Sequence, residues 1–301
     1  MPTLEEKILR LKKEKDALIL SHYYQRPDIQ AIADHVCDSF EMARRASLAS
    51  AKILVICGVR FMAESAKILN PDKIVLLPTA DAGCPMADMI CPEDILSLRQ
   101  NHPEAAVVCY INSAASVKAV SDICCTSSSA LRIVRALPQR QIIFVPDQNL
   151  GAYVANQIPE KEIILFPGFC PIHNDVTVED VLSARRAHPH AQMLMHPECR
   201  PEVLAYADYI GSTSGIIETA LASTARTFII ATEKEIADGL RKLAPEKEFF
   251  TITNRFLCPD MKKTRLKDII ESLETQKHEI NMAPEEITAA AQSLERMVGV
   301  R

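Results

Sequence analysis

Three cysteines each stand directly before a proline: Cys84 in "DAGCPMADM", Cys170 in "GFCPIHNDV" and Cys258 in "RFLCPDMKK". None has a neighbour at the C-x-x-C or C-x-x-x-C-x-x-C spacing by which a local run of cysteines holds a metal. Their intervals, 86 and 88 residues, are nearly equal, which points to partners at long range, one repeat away. Three thiolates leave one position of a metal centre unfilled. A structural zinc site is normally closed by four protein ligands and suits this set poorly. A [4Fe-4S] cluster on three cysteines keeps one iron open as a Lewis acid, an arrangement suited to eliminations and dehydrations.

A second group of residues can do acid–base and anion chemistry. His22 and Tyr24, Tyr110 and Asn112, and His196 and Glu198 follow three apolar runs. The histidines can act as acids or neutral hydrogen-bond donors and Glu198 as a base. Hydroxyls come next: Ser39 after Asp38, Ser127 after Thr126, and Ser212 with Thr213. Ser39, Ser127 and Thr213 precede helical patterns and are expected as N-caps, where free N–H groups attract phosphate or carboxylate. Asp147, Asn149, Thr232 and Glu233 are weaker candidates. The other seven cysteines (37, 57, 91, 109, 124, 125 and 199) lack a repeated position, and most of them read as packing residues.

The elements that must position these groups also come in threes. An apolar run opens each unit: "ALILSHYYQ", "AVVCYINS" and "AQMLMHPEC". A hydroxyl-bearing turn into a helix follows: "HVCDSFEMARRA", "ICCTSSSALRIV" and "YIGSTSGIIETA". Then come a long strand and helix, and a last strand that ends at the cysteine. Eleven residues past each cysteine a helical pattern carries Ile95, Val181 and Ile269. Ile-, Val- and Leu-rich runs alternating with helices indicate parallel βαβ units buried on both faces. The expected fold is α/β: three homologous small parallel-sheet αβα domains in pseudo-threefold arrangement around a central active site. The expected boundaries are 1–84, 85–170 and 171–277, with 278–301 packing near the first unit. Ligands collect beyond the carboxyl ends of parallel strands, which is where the polar residues fall in every unit.

Composition narrows the function. A chain of 301 residues with 48% hydrophobic content supports a large core, and a net charge of −5 without a basic block disfavours nucleic acid. The absence of Trp disfavours a base-stacking surface. "MPTLEEKILRLKKEKDA" is a charged amphipathic helix rather than a signal peptide, and no apolar run suggests a membrane span. Ten cysteines without an export signal imply a reducing cytoplasm. Neither G-x-G-x-x-G nor a Walker loop is present, so phosphate must be bound by another route.

The stretches "SHYYQ", "GVRFMAESAKILNPDK", "YINS", "CTSSS", "PDQNL", "GFCPIH", "MHPEC", "GSTSG" and "CPDM" together resemble the quinolinate synthase family over nearly the whole chain. The resemblance implies a transferase of pyridine-nucleotide (NAD) biosynthesis that condenses iminoaspartate with dihydroxyacetone phosphate, releasing phosphate and two waters. It implies a [4Fe-4S] cofactor on Cys84, Cys170 and Cys258. It implies substrate contacts or acid–base roles for His22, Tyr24, Ser39, Tyr110, Asn112, Ser127, His196, Glu198, Ser212 and Thr213. Tyr24, His196 and Glu198 are the expected proton-transfer residues, with His22 and Tyr110 orienting. Functional coupling to L-aspartate oxidase, the source of iminoaspartate, is a further expectation. Ser129 and Ile216 stand where the family commonly has Asn and Met. The nearest alternative is another [4Fe-4S] hydro-lyase acting on a small hydroxy acid; a metal-free protein binding a phosphorylated ligand is a more distant one.

Overall fold

The computed structural model describes residues 2–299; Met1, Val300 and Arg301, the ends of the expected first and last segments, lie outside it. The first unit holds α1 (Leu4–Glu14), β1 (Ala17–His22), α2 (Pro27–Ile32), β2 (His35–Cys37), α3 (Ser39–Leu48), β3 (Ile53–Cys57), α4 (Arg60–Leu69) and β4 (Ile74–Leu76). The second holds α5 (Pro92–Asn101), β5 (Ala106–Tyr110), α6 (Ala115–Ala119), β6 (Ile123–Cys125), α7 (Ala130–Ala136), β7 (Gln141–Val145), α8 (Gln148–Gln157) and β8 (Glu162–Leu165). The third holds α9 (Pro171–Asn174), α10 (Val178–Ala187), β9 (Gln192–Met195), α11 (Pro201–Leu204), β10 (Tyr209–Ile210), α12 (Thr213–Ala222), β11 (Thr227–Ala231), α13 (Glu235–Leu243) and β12 (Glu248–Thr251). Two more helices follow, α14 (Leu266–Thr275) and α15 (Pro284–Gly299).

Each unit is one four-stranded sheet with the same order: β2-β1-β3-β4, β6-β5-β7-β8 and β10-β9-β11-β12. All pairings are parallel. The expected three αβα sheets are therefore present. Central strands such as β3 and β5 are buried at every residue, as strands covered by helices on both faces must be. Within each sheet the chain leaves the opening strand to one side and returns on the other. That reversal opens a crevice at the carboxyl ends of the two middle strands, and all three crevices face one cavity.

The helices after the cysteines tie the units together. Ile95, Val181 and Ile269 sit at the same turn of α5, α10 and α14 and are fully buried. In each helix an aspartate three residues past the cap accepts from the cap's N–H: Asp94 from Cys91 at 2.9 Å, Asp180 from Thr177 at 2.8 Å and Asp268 from Arg265 at 2.8 Å. This half of a capping box satisfies a donor that the helix leaves free. Helix α10 packs on the sheet that follows it, its Val181 in a core with Met193 and Met195. Helix α14 has no fourth sheet to meet. Its Leu266, Ile269, Ile270 and Leu273 join Ile8 and Leu11 of α1 on the first sheet, so the third unit's exit helix closes the ring on the first.

Within segment 278–301, α15 buries Ala290, Leu294 and Met297 in the core shared by the first two sheets. Ser293 on the same face donates to the Lys118 carbonyl at 3.0 Å. None of the described helices is long and apolar enough to cross a membrane.

Candidate active site

Cys84, Cys170 and Cys258 line one cavity of about 210 Å³. Each is followed by a short helical turn that begins at or just past its proline, Ala87–Met89, Pro171–Asn174 and Asp260–Lys262. Backbone N–H groups of those turns point back at the sulfurs: Met86 and Ala87 at Cys84, His173 at Cys170, Asp260 and Met261 at Cys258. Burial raises all three thiols, Cys84 to about 12, Cys258 to about 11 and Cys170 well above its ordinary value. They are protonated at neutral pH until a metal displaces the proton. Three thiols on one apolar-walled cavity, each sulfur already receiving N–H bonds, fit a metal–sulfur group whose thiolates must be stabilised without a protein counter-cation.

The three opening strands deliver the acid–base residues. His22 ends β1, and its Nδ1 accepts from the Tyr24 N–H at 3.2 Å. His196 follows β9, and its Nδ1 faces the Glu198 N–H at 3.4 Å. Both imidazoles therefore carry their proton on Nε2 when neutral. Burial lowers His22 to about 3, with Lys262 adding to the effect, and lowers His196 to about 4 against the opposing pull of Glu198. Both are neutral donors at physiological pH. Tyr110 ends β5 and donates its hydroxyl to Glu198 Oε1 at 2.7 Å, bridging the second and third units. Burial disfavours a charge on Glu198, but His196, His173 and the bonds from His173 and Tyr110 outweigh it and hold the carboxyl at about 2. Glu198 is an anion.

Two residues that sequence reasoning passed over or ranked low complete the network. His173 is buried, with Nδ1 2.8 Å from Glu198 Oε2 and 3.3 Å from Cys170 Sγ. A carboxylate only accepts, so Nδ1 carries a proton, and in the tautomer with that single proton Nε2 is an acceptor. Nε2 lies 3.0 Å from Thr232 Oγ1, and Thr232 Oγ1 lies 2.8 Å from the Tyr24 hydroxyl. In that tautomer Tyr24 donates to Thr232, Thr232 to His173, and His173 to Glu198. The same tyrosine hydroxyl is 3.0 Å from Thr213 Oγ1. His173 stands three residues past its cysteine, where the other repeats have Ala87 and Met261. Alignment of the repeats is blind to such a residue; the signal was the i, i+3 spacing of Cys170 and His173 on one helical turn.

The helix starts are not capped as expected. Asp38, not Ser39, caps α3, accepting from the Glu41 N–H at 2.9 Å and contacting Ser214 Oγ of the third unit. Ser212, not Thr213, caps α12, accepting from the Gly215 N–H at 3.2 Å. Ser129 occupies the cap position of α7 and its Oγ accepts from the Thr126 N–H at 2.9 Å. With Asp38 and Ser212 as the caps and Ser129 bonded back to Thr126, Ser39, Ser127 and Thr213 are left on the cavity wall, together with Asn112. Asn112 Oδ1 is buried without a hydrogen-bond partner among the described residues. Ser212 lies outside the wall. Asp147 is a buried cap of α8, accepting from the N–H groups of Asn149 and Leu150 at 2.8 Å. Asn149 in turn donates to the Glu198 carbonyl at 3.0 Å. Glu233 reaches the wall paired to Lys262 at 2.8 Å.

Three like α/β units closing on one cavity, with thiols, phenols, imidazoles and carboxylates drawn from all of them, define a pseudo-threefold α/β enzyme with a candidate metal-binding group. The sequence profile described as "Quinolinate synthetase A protein" matches residues 6–299. The chain is 49% identical to "Quinolinate synthase" of Caldicellulosiruptor saccharolyticus over 98% of its own length and 97% of that protein's. It is 49% identical to "Quinolinate synthase" of Clostridium kluyveri, with 99% and 98% covered, and 47% identical to "Quinolinate synthase 2" of Methanosarcina acetivorans, with 99% and 96% covered. The chain belongs to the quinolinate synthetase A family.

Proposed function

We propose that the protein condenses iminoaspartate with dihydroxyacetone phosphate to give quinolinate, phosphate and two waters, on a [4Fe-4S] cluster held by Cys84, Cys170 and Cys258. The observation that carries this reading is the convergence of one thiol from each repeat on a cavity that also holds the Tyr24-to-Glu198 network. When bound, the cluster supplies Lewis acidity toward a substrate oxygen from its one iron without a cysteine.

The chain's own residues do the rest. Loss of a proton from the Tyr24 hydroxyl through Thr232 to His173 Nε2 makes an imidazolium beside the Glu198 carboxylate, which stabilises it. Tyr24 thereby gains a basic oxygen despite a phenol that burial pushes well above its ordinary range. Neutral His22 and His196 present Nε2–H groups that orient and polarise substrate oxygens without adding a charge that repels other cations. Ser127 and Thr213 offer hydroxyls on the cavity wall to the phosphate and carboxylates. The Asp38 carboxylate makes the α3 start, with Ser39, a poorer place for an anion. Asn112 Oδ1 has an acceptor free for a substrate O–H or N–H.

The test is turnover by cluster-loaded protein without oxygen, with product identified by mass. Quinolinate that appears only when both substrates are present supports the reading. Dehydration of a hydroxy acid with no need for the triose phosphate would replace it with the hydro-lyase.

A further inference from the structure

We infer that Cys170, His173 and Glu198 form a mononuclear site for a thiophilic divalent cation such as Zn²⁺, and that this ion and the three-cysteine cluster exclude one another. The site is confined to the second and third units and has no counterpart elsewhere in the threefold pattern, because Ala87 and Met261 replace the histidine. One donor atom from each residue lies within 4.8 Å of the others. Sγ to Nδ1 is 3.3 Å and Nδ1 to Oε2 is 2.8 Å. Ligands of one tetrahedral zinc, at about 2.0–2.3 Å from the metal, stand roughly 3–4 Å apart, so small side-chain shifts admit the ion.

The surroundings are those of a ligand set held in place. An imidazole bound through Nδ1 carries its proton on Nε2, and Thr232 Oγ1 is there at 3.0 Å to accept it. Tyr110 holds the other carboxylate oxygen at 2.7 Å, and Asn149 fixes the Glu198 backbone. Charge also balances: one thiolate and one carboxylate neutralise a divalent ion in a place where an unpaired charge is costly. All three residues line the cavity, leaving the fourth coordination position to water. Binding releases one proton, from the Cys170 thiol, while the imidazole proton moves from Nδ1 to Nε2. Two consequences follow: Cys170 is withdrawn from the cluster, and Thr232 now accepts from both Tyr24 and His173, which breaks the relay. Neither depends on which reaction the site performs.

The test is titration of the full-length, iron-free chain with Zn²⁺, and with Co²⁺ as a spectroscopic stand-in. The expected result is one ion per chain, with a thiolate-to-cobalt charge-transfer band in the near ultraviolet. Thr232→Val should weaken binding by about 10–100-fold, and Cys170→Ser or His173→Gln by more than that. The Cys84→Ser, Cys258→Ser double variant should bind as the parent does. Zinc-loaded chain should take up no iron and sulfide until a chelator removes the ion. Binding lost in the double variant but kept in His173→Gln would put the ion on the three thiols and overturn the site. Glu198→Gln, checked for folding by circular dichroism, gives an independent decision: parent-like affinity in that folded variant also overturns it. Cluster assembly at the ordinary rate on zinc-loaded chain would overturn the exclusion.

Discussion

At the scale of single residues, the proposed chemistry needs Glu198 charged and Thr232 carrying a proton. Glu198→Gln should keep the cavity and the metal content while turnover falls by about 10²–10⁴-fold, the usual contribution of an acid–base group; full turnover in a cluster-loaded variant would remove Glu198 from the mechanism. Thr232→Val keeps shape but cuts the relay, so kcat should fall with KM little changed, and a parallel change in both would indicate a packing effect instead. The imidazoles set a pH dependence. His22 is depressed from 6.5 to about 3 and His196 to about 4 by burial. The unfolded chain therefore binds more protons below about 6.5. Stability should be full above that pH and fall steadily as pH drops toward 3–4, with His22→Gln flattening the slope. Urea unfolding at several pH values measures this, and a flat profile from pH 7 to 4 would contradict the buried neutral histidines. Of the four weaker candidates from sequence only Glu233 lines the cavity, and of the thirteen stronger ones twelve do. Ser212 does not, because in "ST", as in "DS", adjacent residues can each cap a helix, and only the backbone decides which one does.

Elements explain why those residues meet. An aspartate precedes Ile95, Val181 and Ile269 in each repeat, and its reason is the aspartate-to-cap bond at each helix start. Ile269→Ala should cost about 2–5 kcal/mol by opening a cavity between α14 and the first sheet. Asp268→Ala should cost about 0.5–2 kcal/mol, as loss of a cap does. Chemical denaturation reads both, and a loss at Ile269 no larger than that at an exposed site would show that α14 does not close the ring. Strand order was legible only in part. Alternation of strand and helix announced parallel sheets, but the packing of α14 on α1 follows from a third exit helix with no next sheet, which no local pattern encodes.

Across the whole molecule, threefold likeness builds the cavity, and in the proposed chemistry departures from it carry the proton relay. The cysteines and opening strands repeat, so comparison of the units found them. His173 and Lys262 do not repeat; their counterparts are Ala87 and Met261, and Asp88 and Asn174. Such residues are read from contacts between units, as in the chain from Tyr24 of the first unit to Thr232 of the third and on to Glu198. In the proposed enzyme one thiol from each unit serves one metal centre. Its most direct measurement is iron and acid-labile sulfide per chain, prepared without oxygen, in the parent and in Cys84→Ser, Cys170→Ser and Cys258→Ser. About four of each in the parent, as a cubane cluster requires, with a collapse in all three variants, is the predicted result. Little iron in the parent after anaerobic reconstitution, or iron that survives any one of the substitutions undiminished, would contradict it.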